Sequence, residues 1–256
     1  MTDMPREKLE SFEKRTKNDW IRIVMNEAGS KLNQSLLVVA NRVIEIPEIC
    51  CTIHLGGAEG FEDFARKWTK KFIDGYESRP SKRISNPIGT KHDPILDEII
   101  SARILITDDD LESVKYGHRL SMSAENIAGS LLEEYLASKL INYKWHCCWG
   151  ETLKSIDFCH ENGDLLQIKN SDNSENSSSK TVRDGTKIKH WFRRFSKTGN
   201  TNWDALNEFV EIKNNDDLLS EESFKEFVRN AVSNNPGSVF LEDENPYGNN
   251  QENKDI

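Results

Sequence analysis

Asp157, Gln167 and Lys169 are the residues of this chain whose types and spacing best suit chemistry on a phosphate. The aspartate closes one run of strand-forming residues, and Gln167 and Lys169 stand on the next run, at 165–169. Side chains alternate along a strand, so Gln167 and Lys169 share a face while Ile168 turns to the core. Between the runs lies His160-Glu161-Asn162-Gly163-Asp164, and its Asn-Gly step is a strong signal for a two-residue hairpin turn. That turn brings Asp157 alongside the Gln167/Lys169 pair. A carboxylate, an amide oxygen and a lysine on one face suit a hard divalent cation such as Mg2+, which takes oxygen ligands and keeps several waters. The set suits phosphodiester hydrolysis: the cation offsets charge growing on the phosphate and activates water, and the ammonium orients that water. A carboxylate from the preceding helix, Glu133 or Glu134, completes the shell. The same D…QxK pattern also fits a half-buried hairpin in which Lys169 snorkels to solvent.

The elements that must position these residues are legible on either side. The clearest helix is 123–141, where Ala124, Ile127, Ala128, Leu131, Leu132, Tyr135 and Leu136 cover one broad face and Ser123 is a good N-cap. After it the period changes to that of strands at 145–149, 152–158 and 165–169. Upstream, residues 1–120 read as mostly helical, with helices at about 5–16, 18–28, 31–45, 59–76, 94–104 and 108–119. In the fourth of these Phe61, Phe64, Ala65, Trp68 and Phe72 recur at helical spacing as core positions, with Gly75 as a stop. The Pro-, Ser-, Gly- and Lys/Arg-bearing stretch 78–93 reads as a loop. The chain thus divides into a helical region 1–120, a core 121–233 and an acidic, frayed tail 234–256.

Composition narrows the class. The chain has 256 residues, 36% hydrophobic and 30% charged, with six Trp, eleven Phe and five Tyr to build a core. No run approaches the roughly 18 apolar residues of a membrane span. The N-terminus has mixed charge and no apolar centre, so it is not a secretory signal and points to the cytoplasm. Five cysteines, with Cys50-Cys51 and Cys147-Cys148 vicinal, make a poor disulfide framework, and their spacing to His54, His146 and His160 matches no standard zinc site. They read as small buried hydrophobes. The net charge of −9 argues against a nucleic-acid partner only as an average. Residues 204–256 carry all of it, with 13 acids against 4 basic residues, and within the neutral remainder the block 180–197 holds seven basic residues and one acid.

Taken together, Glu133, Ile156-Asp157 and Gln167-Ile168-Lys169 resemble the PD-(D/E)XK nuclease superfamily. Ile156 replaces the proline of that pattern, and Gln167 replaces the middle acid. A neutral amide weakens metal binding unless Glu133 or another acid compensates. The blocks SAENIAGSLLEEYLASKL, WHCCWG and SIDF, followed by QIKNSDNSENSSSKTVRDGTKIKHWFRR and Thr201-Asn202-Trp203, are similar to type II restriction endonucleases that cut GG/CC palindromes with a degenerate centre, GGNCC or GGWCC. The similarity spans about residues 95–210. It implies an α/β (α+β) restriction-endonuclease-like core, a central mixed sheet flanked by helices, behind a helical N-terminal part. It also implies Mg2+ dependence, 5′-phosphate and 3′-hydroxyl ends, a homodimer on double-stranded DNA, and a cognate DNA methyltransferase in the same prokaryotic cytoplasm. Asp157, Gln167, Lys169 and Glu133 are then the site, with Glu133 preferred to Glu134 because a Leu-Glu step on the first core helix often faces the metal in such nucleases.

The segment after the motif makes sense as a DNA reader. Asn173, Glu175, Asn176, Ser177, Ser178, Ser179 and Arg183 have side chains suited to base edges. Lys187, Lys189, Arg193 and Arg194 suit phosphates, and Trp191 and Phe192 suit the core. The serine run also reads as a plain linker. The upstream helices support the core, dimerise or wrap the duplex. Two other functions fit the same residues: a structure-specific repair or recombination nuclease, and a DNA-binding regulator without catalysis. Nothing supports a GxSxG hydrolase, a P-loop or a GxGxxG site.

Overall fold

The computed structural model describes residues 17–46, 49–50, 60–87, 92–172, 188–214 and 217–241. In chain order its elements are α1 (Lys17–Ala28), α2 (Gln34–Glu45), α3 (Phe61–Glu77), α4 (Pro94–Arg103), α5 (Asp108–Leu140), β1 (Trp145–Cys147), β2 (Phe158–His160), β3 (Leu165–Ser171), β4 (Ile188–Arg194), α6 (Trp203–Val210) and α7 (Glu221–Asn234). The four strands form one sheet in the order β1-β2-β3-β4. The first two junctions are antiparallel and the last is parallel, so the sheet is mixed. This is the α+β class expected from the resemblance. The expected helix at 5–16 lies outside the described residues. No helix among the described residues is long and apolar enough to cross a membrane.

The chain forms two compact units, one of residues 1–79 and 132–227, the other of 80–131 and 228–256. Along the chain, two of the boundaries between the units fall within α5 and within α7.

Within the first unit the sheet is covered on both faces, and alternation decides which residue meets which layer. Cys159 and Leu165 pack with α1–α3 in a cluster centred on Trp20, Trp68 and Phe72, none of which has exposed surface. Helix α2 presents Leu36, Val39, Ala40 and Val43 to it at helical spacing, and the Asn33 side chain caps it by accepting from Leu36 N at 2.9 Å. On the opposite face Trp191 packs on Trp203 at 5.2 Å, Tyr135 on Trp203 at 5.9 Å and Trp145 on Phe209 at 5.3 Å. The N-terminal helices thus build core. A polar chain pins the hairpin to α2: Ser35 Oγ meets Nδ1 of buried His146 at 3.0 Å, and His146 Nε2 meets Glu161 Oε1 at 3.3 Å.

Four local expectations are corrected. Helix α5 is one 33-residue helix, where two were expected with Ser123 capping the second. Neither proline nor a glycine pair interrupts it, and its start is already capped: Asp110 N donates to Thr107 Oγ1 at 3.2 Å, and Thr107 Oγ1 to Asp110 Oδ2 at 2.8 Å. Buried Ser123 instead accepts from Phe240 N at 2.9 Å. The strand expected at 152–158 is irregular up to Asp157, and only Phe158 belongs to β2; Leu153, bridged to Cys50, and Ile156 are buried in the α1–α3 cluster rather than paired in the sheet. Gly75 does not end α3, which runs on to Glu77. The hairpin turn is a residue longer than expected, closed by His160 N to Asp164 O at 2.8 Å, with Gly163 at φ +109°.

Gly75 and Gly150 have a packing role that their sequence context hides. A Cβ on Gly75 would stand 2.3 Å from Gly150 N, and one on Gly150, at φ +71°, would stand 2.3 Å from Lys71 O. The turn between β1 and β2 therefore seats directly on α3. Gly75→Ala should lower Tm by about 5–10 °C, equivalent to ~3 kcal/mol. Gly129→Ala, in α5 where a Cβ meets nothing within 4 Å, should leave Tm unchanged or slightly raised. Equal melting of Gly75→Ala and the parent chain would refute the contact.

Candidate active site at the strand fork

Asp157 stands one residue before β2, at the point where the β2–β3 ladder gives out. Its backbone is still paired on both sides: Cys148 N donates to Asp157 O at 2.8 Å, and Asp157 N donates to Leu166 O at 3.0 Å. The next amide on β3, Ile168 N, donates to Asp157 Oδ2 at 2.7 Å. The side chain thus replaces the backbone acceptor that β2 no longer offers. The register, Phe158 opposite Leu166 and Cys159 opposite Leu165, puts Asp157 opposite Gln167 one step further.

The carboxyl is half-buried, and burial pushes its pKa up to about 6. The Ile168 amide and the Lys169 ammonium oppose that rise, and the negative charge of Glu151 adds to it. Gln167 is 7% exposed, and its Oε1 is buried with no hydrogen-bond partner among the described residues. Leaving such an acceptor unmet costs about 1–3 kcal/mol. Lys169, two positions on, shares the strand face of Gln167 and is half-buried. The structure brings these three residues together as the spacing predicted.

The helix acids part company. Glu134 is buried and its Oε1 meets Arg79 Nε at 3.2 Å, in the wall of a cavity of about 420 Å³ shared with Trp145 and Trp149. Its charge is already neutralised. Glu133 is half-buried and acts with Asp157 on the Cys147 thiol, whose pKa rises well above the ordinary value mainly through burial. Cys148 is raised likewise by burial and by its contact with Cys159, so these thiols keep their protons. The acid whose charge acts on Asp157 itself is Glu151, which the sequence reading passed over. Among the described residues no three His, Cys, Asp or Glu side chains gather as a metal cluster.

The DNA-facing candidates fall into three groups. Asn173, Glu175, Asn176, Ser177, Ser178, Ser179, Arg183 and Lys187 lie outside the described residues. Lys189 and Arg194 are exposed on β4. Arg193 turns the other way: it pairs with Glu221, donates to Asn170 Oδ1 at 2.8 Å and lies over the Phe224 ring at 5.4 Å. Alternation on β4 forces this, because Arg193 follows buried Trp191 on the core-facing side. Trp191 is core as expected, with Nε1 donating to Asn202 O at 2.8 Å. Phe192 is only half-buried. It pairs in register with Lys169, as His190 does with Gln167, so both flank the site on the same face. The strand period at 188–194 was the missed signal, overshadowed by the density of basic residues.

A helix-flanked mixed sheet with an aspartate at a strand fork and a lysine two positions past a buried amide is the architecture of restriction-endonuclease-like nucleases. Over residues 59–234 the chain matches the SinI restriction endonuclease family, and it belongs to that family. It is 37% identical over 220 residues to the type II restriction enzyme Eco47I of Escherichia coli, covering 81% of this chain and 90% of that protein. To the type II restriction enzyme SinI of Salmonella infantis it is 35% identical over 220 residues, with the same coverage. The chain is accordingly a restriction endonuclease, a hydrolase acting on the phosphodiester bonds of double-stranded DNA.

The raised Asp157 pKa has a signed consequence for the metal-free protein. Its folded value of about 6 exceeds the ordinary 3.8, so its stabilising contribution is full below pH 4 and is lost as pH rises through 6. In EDTA, Asp157→Asn should therefore be about 1–3 kcal/mol more stable than the parent at pH 8 and indistinguishable near pH 4. Thermal melts across that range check the sign. A variant less stable than the parent at pH 8 would contradict a buried, electrostatically unrelieved carboxylate.

Proposed function

We propose that this chain cuts both strands of duplex DNA at a short palindromic GG/CC-type site, with Mg2+ as cofactor and two copies of the chain acting on the two strands. The single observation that carries this reading is the juxtaposition of buried, unpartnered Gln167 Oε1 with the half-buried Asp157 carboxyl and Lys169. A buried amide oxygen without a donor, beside a carboxyl whose burial disfavours its charge, suits a hard cation, which would relieve both. Asp157 and Gln167 would hold it, with water and a DNA phosphate filling the remaining positions and Glu133 as a further acid. When bound, the cation supplies positive charge against the negative charge building on the phosphate and lowers the pKa of the attacking water.

The residues of the chain do the rest. Asp157 is the required carboxylate above pH 6. The Lys169 ammonium holds the attacking water and offsets phosphate charge. The water oxygen bonds to phosphorus, the bond from phosphorus to the 3′ oxygen breaks, and that oxygen takes up a proton. The ends are a 5′-phosphate and a 3′-hydroxyl. Lys189 and Arg194 grip flanking phosphates beside Arg183 and Lys187, and the polar residues of 173–179 read base edges. One chain carries one such site, so a symmetric duplex target calls for a two-fold pair. A cell carrying such a nuclease needs its own sites protected, which makes a cognate DNA methyltransferase in a prokaryotic cytoplasm the companion activity.

Digestion of phage DNA with Mg2+ at moderate salt should give a defined set of fragments, whose sequenced ends reveal the site. Asp157→Ala and Lys169→Ala should abolish cutting and still retard DNA. Cutting by either variant would overturn the site assignment, and cutting of branched DNA alone would overturn the sequence-specific reading. Arg194→Ala should reduce the salt slope of DNA binding by about one. Arg193→Ala should leave the slope unchanged and destabilise the fold by about 1–3 kcal/mol, because it leaves Glu221 Oε1 without its cation while Oε2 keeps only Trp203 Nε1.

A further inference from the structure

We infer that helix α4 and its exit, turned apolar side outward, form the face on which a second copy of this chain docks about a two-fold axis. The inference rests on the two-copy reading given above and names the surface that pairs the copies.

Helix α4 is attached by its polar side. Asp93 caps it by accepting from Ile95 N at 3.0 Å. Its tie to α5 is an ion pair: Asp97 meets Lys115 Nζ at 3.3 Å and His92 Nε2 at 2.7 Å, and Lys115 also meets Glu112 at 2.7 Å. Asp97 and Ile100 are the half-buried residues of the helix, and none of the ten is fully buried. Ile95, Ile99 and Ala102 stand about half a turn round from Asp97, in one stripe along the opposite side. Ile95 is 60% exposed and Ile99 58%; Leu96 and Ile104 are exposed as well, and Leu105 is fully so. One exposed Leu or Ile is ordinary, whereas five within eleven residues mark a surface that takes a partner.

The chemistry of the face selects that partner. Residues 93–110 hold six acids and one basic residue, which repels a DNA phosphate backbone. The C-terminal segment 242–256 holds five acids and one lysine, with Tyr247 and Ile256 as its large apolar side chains, so it brings like charge and little apolar surface. A second copy brings an equal apolar stripe, and a two-fold interface uses the same patch on both subunits. Antiparallel pairing opposes the two helix dipoles and sets the Arg103 end of each helix beside the acidic start of the other. The five side chains expose about 200–400 Å² of apolar surface, roughly half of what a homodimer interface of ~800 Å² per partner requires.

Sedimentation of the full chain at micromolar concentration, without DNA, tests this. The parent should be a dimer. Ile95→Glu with Ile99→Glu should raise the dimer dissociation constant at least about a hundredfold and leave the near-ultraviolet circular dichroism of the folded chain unchanged, because both residues are exposed. Ile99→Cys should cross-link to its own copy under mild oxidation, with Cys50, Cys147, Cys148 and Cys159 buried out of reach. Dissociation decides the matter if the double variant keeps the parent spectrum, and the cross-link decides it otherwise. A parent dimer that shows neither response overturns the role of α4 and leaves the two-copy reading standing. A monomeric parent overturns this inference, and the dependence of double-strand cutting on chain concentration then decides the two-copy reading by itself.

Discussion

The hydrogen bond from Ile168 N to the Asp157 carboxylate is the interaction on which the site depends. A β ladder normally ends in solvent or in a turn. Here it ends on a side chain, so β2 and β3 part in the interior while their last amide stays satisfied. The bond fixes the carboxylate at the fork and costs the donor nothing. It also sets the register that places Gln167 opposite Asp157, with Lys169 one strand period beyond. Only the acceptor side is left wanting: Asp157 is desolvated, and Gln167 Oε1 has no hydrogen-bond partner among the described residues. Of the buried atoms without a hydrogen bond among the described residues, Gln167 Oε1 lies at the fork beside Asp157, and that local concentration of polar demand is where a cation and a phosphate are called for.

Two apolar layers make that concentration possible. The α1–α3 cluster behind Cys159 and Leu165 and the Trp191–Trp203–Tyr135 layer behind Ile168 clamp β3 from both sides. That is why Leu165, Leu166, Gln167 and Ile168 are buried in succession. Each layer also recruits polar groups. Arg79 neutralises Glu134, and Glu221 takes Arg193 out of the basic surface. The electrostatics of the exposed face are set as much by the charges withdrawn into pairs as by those left out.

Net charge is a poor guide for the same reason. The average of −9 is carried by the C-terminal stretch, while Lys189 and Arg194 are exposed on the strand next to the site. Long-range repulsion of DNA by the average is screened over roughly 8–10 Å in physiological salt, a range within which local basic groups dominate.

Residue types, spacing and periodicity determined a good deal by themselves: the helices around Phe61–Glu77 and Leu131–Leu136, the strand at 165–169, and the Asp157/Gln167/Lys169 group. These depend on local alternation and burial pattern, which a single chain segment records. Tertiary structure decided what local pattern cannot encode. Ser123 looked like a helix start and lies in the middle of α5, because capping signals matter only where a helix end is free. Leu153 and Ile156 alternate like a strand and instead plug the helical core. Arg193 and Arg194 are chemically alike, and only the pairing of β4 with β3 sends one inward and one out. Glu151 carries no motif at all. The turn that carries it is seated on α3 only because Gly75 and Gly150, far apart in sequence, touch. A sequence records which groups are present and their local period, whereas the charges that share a site are chosen by non-local packing.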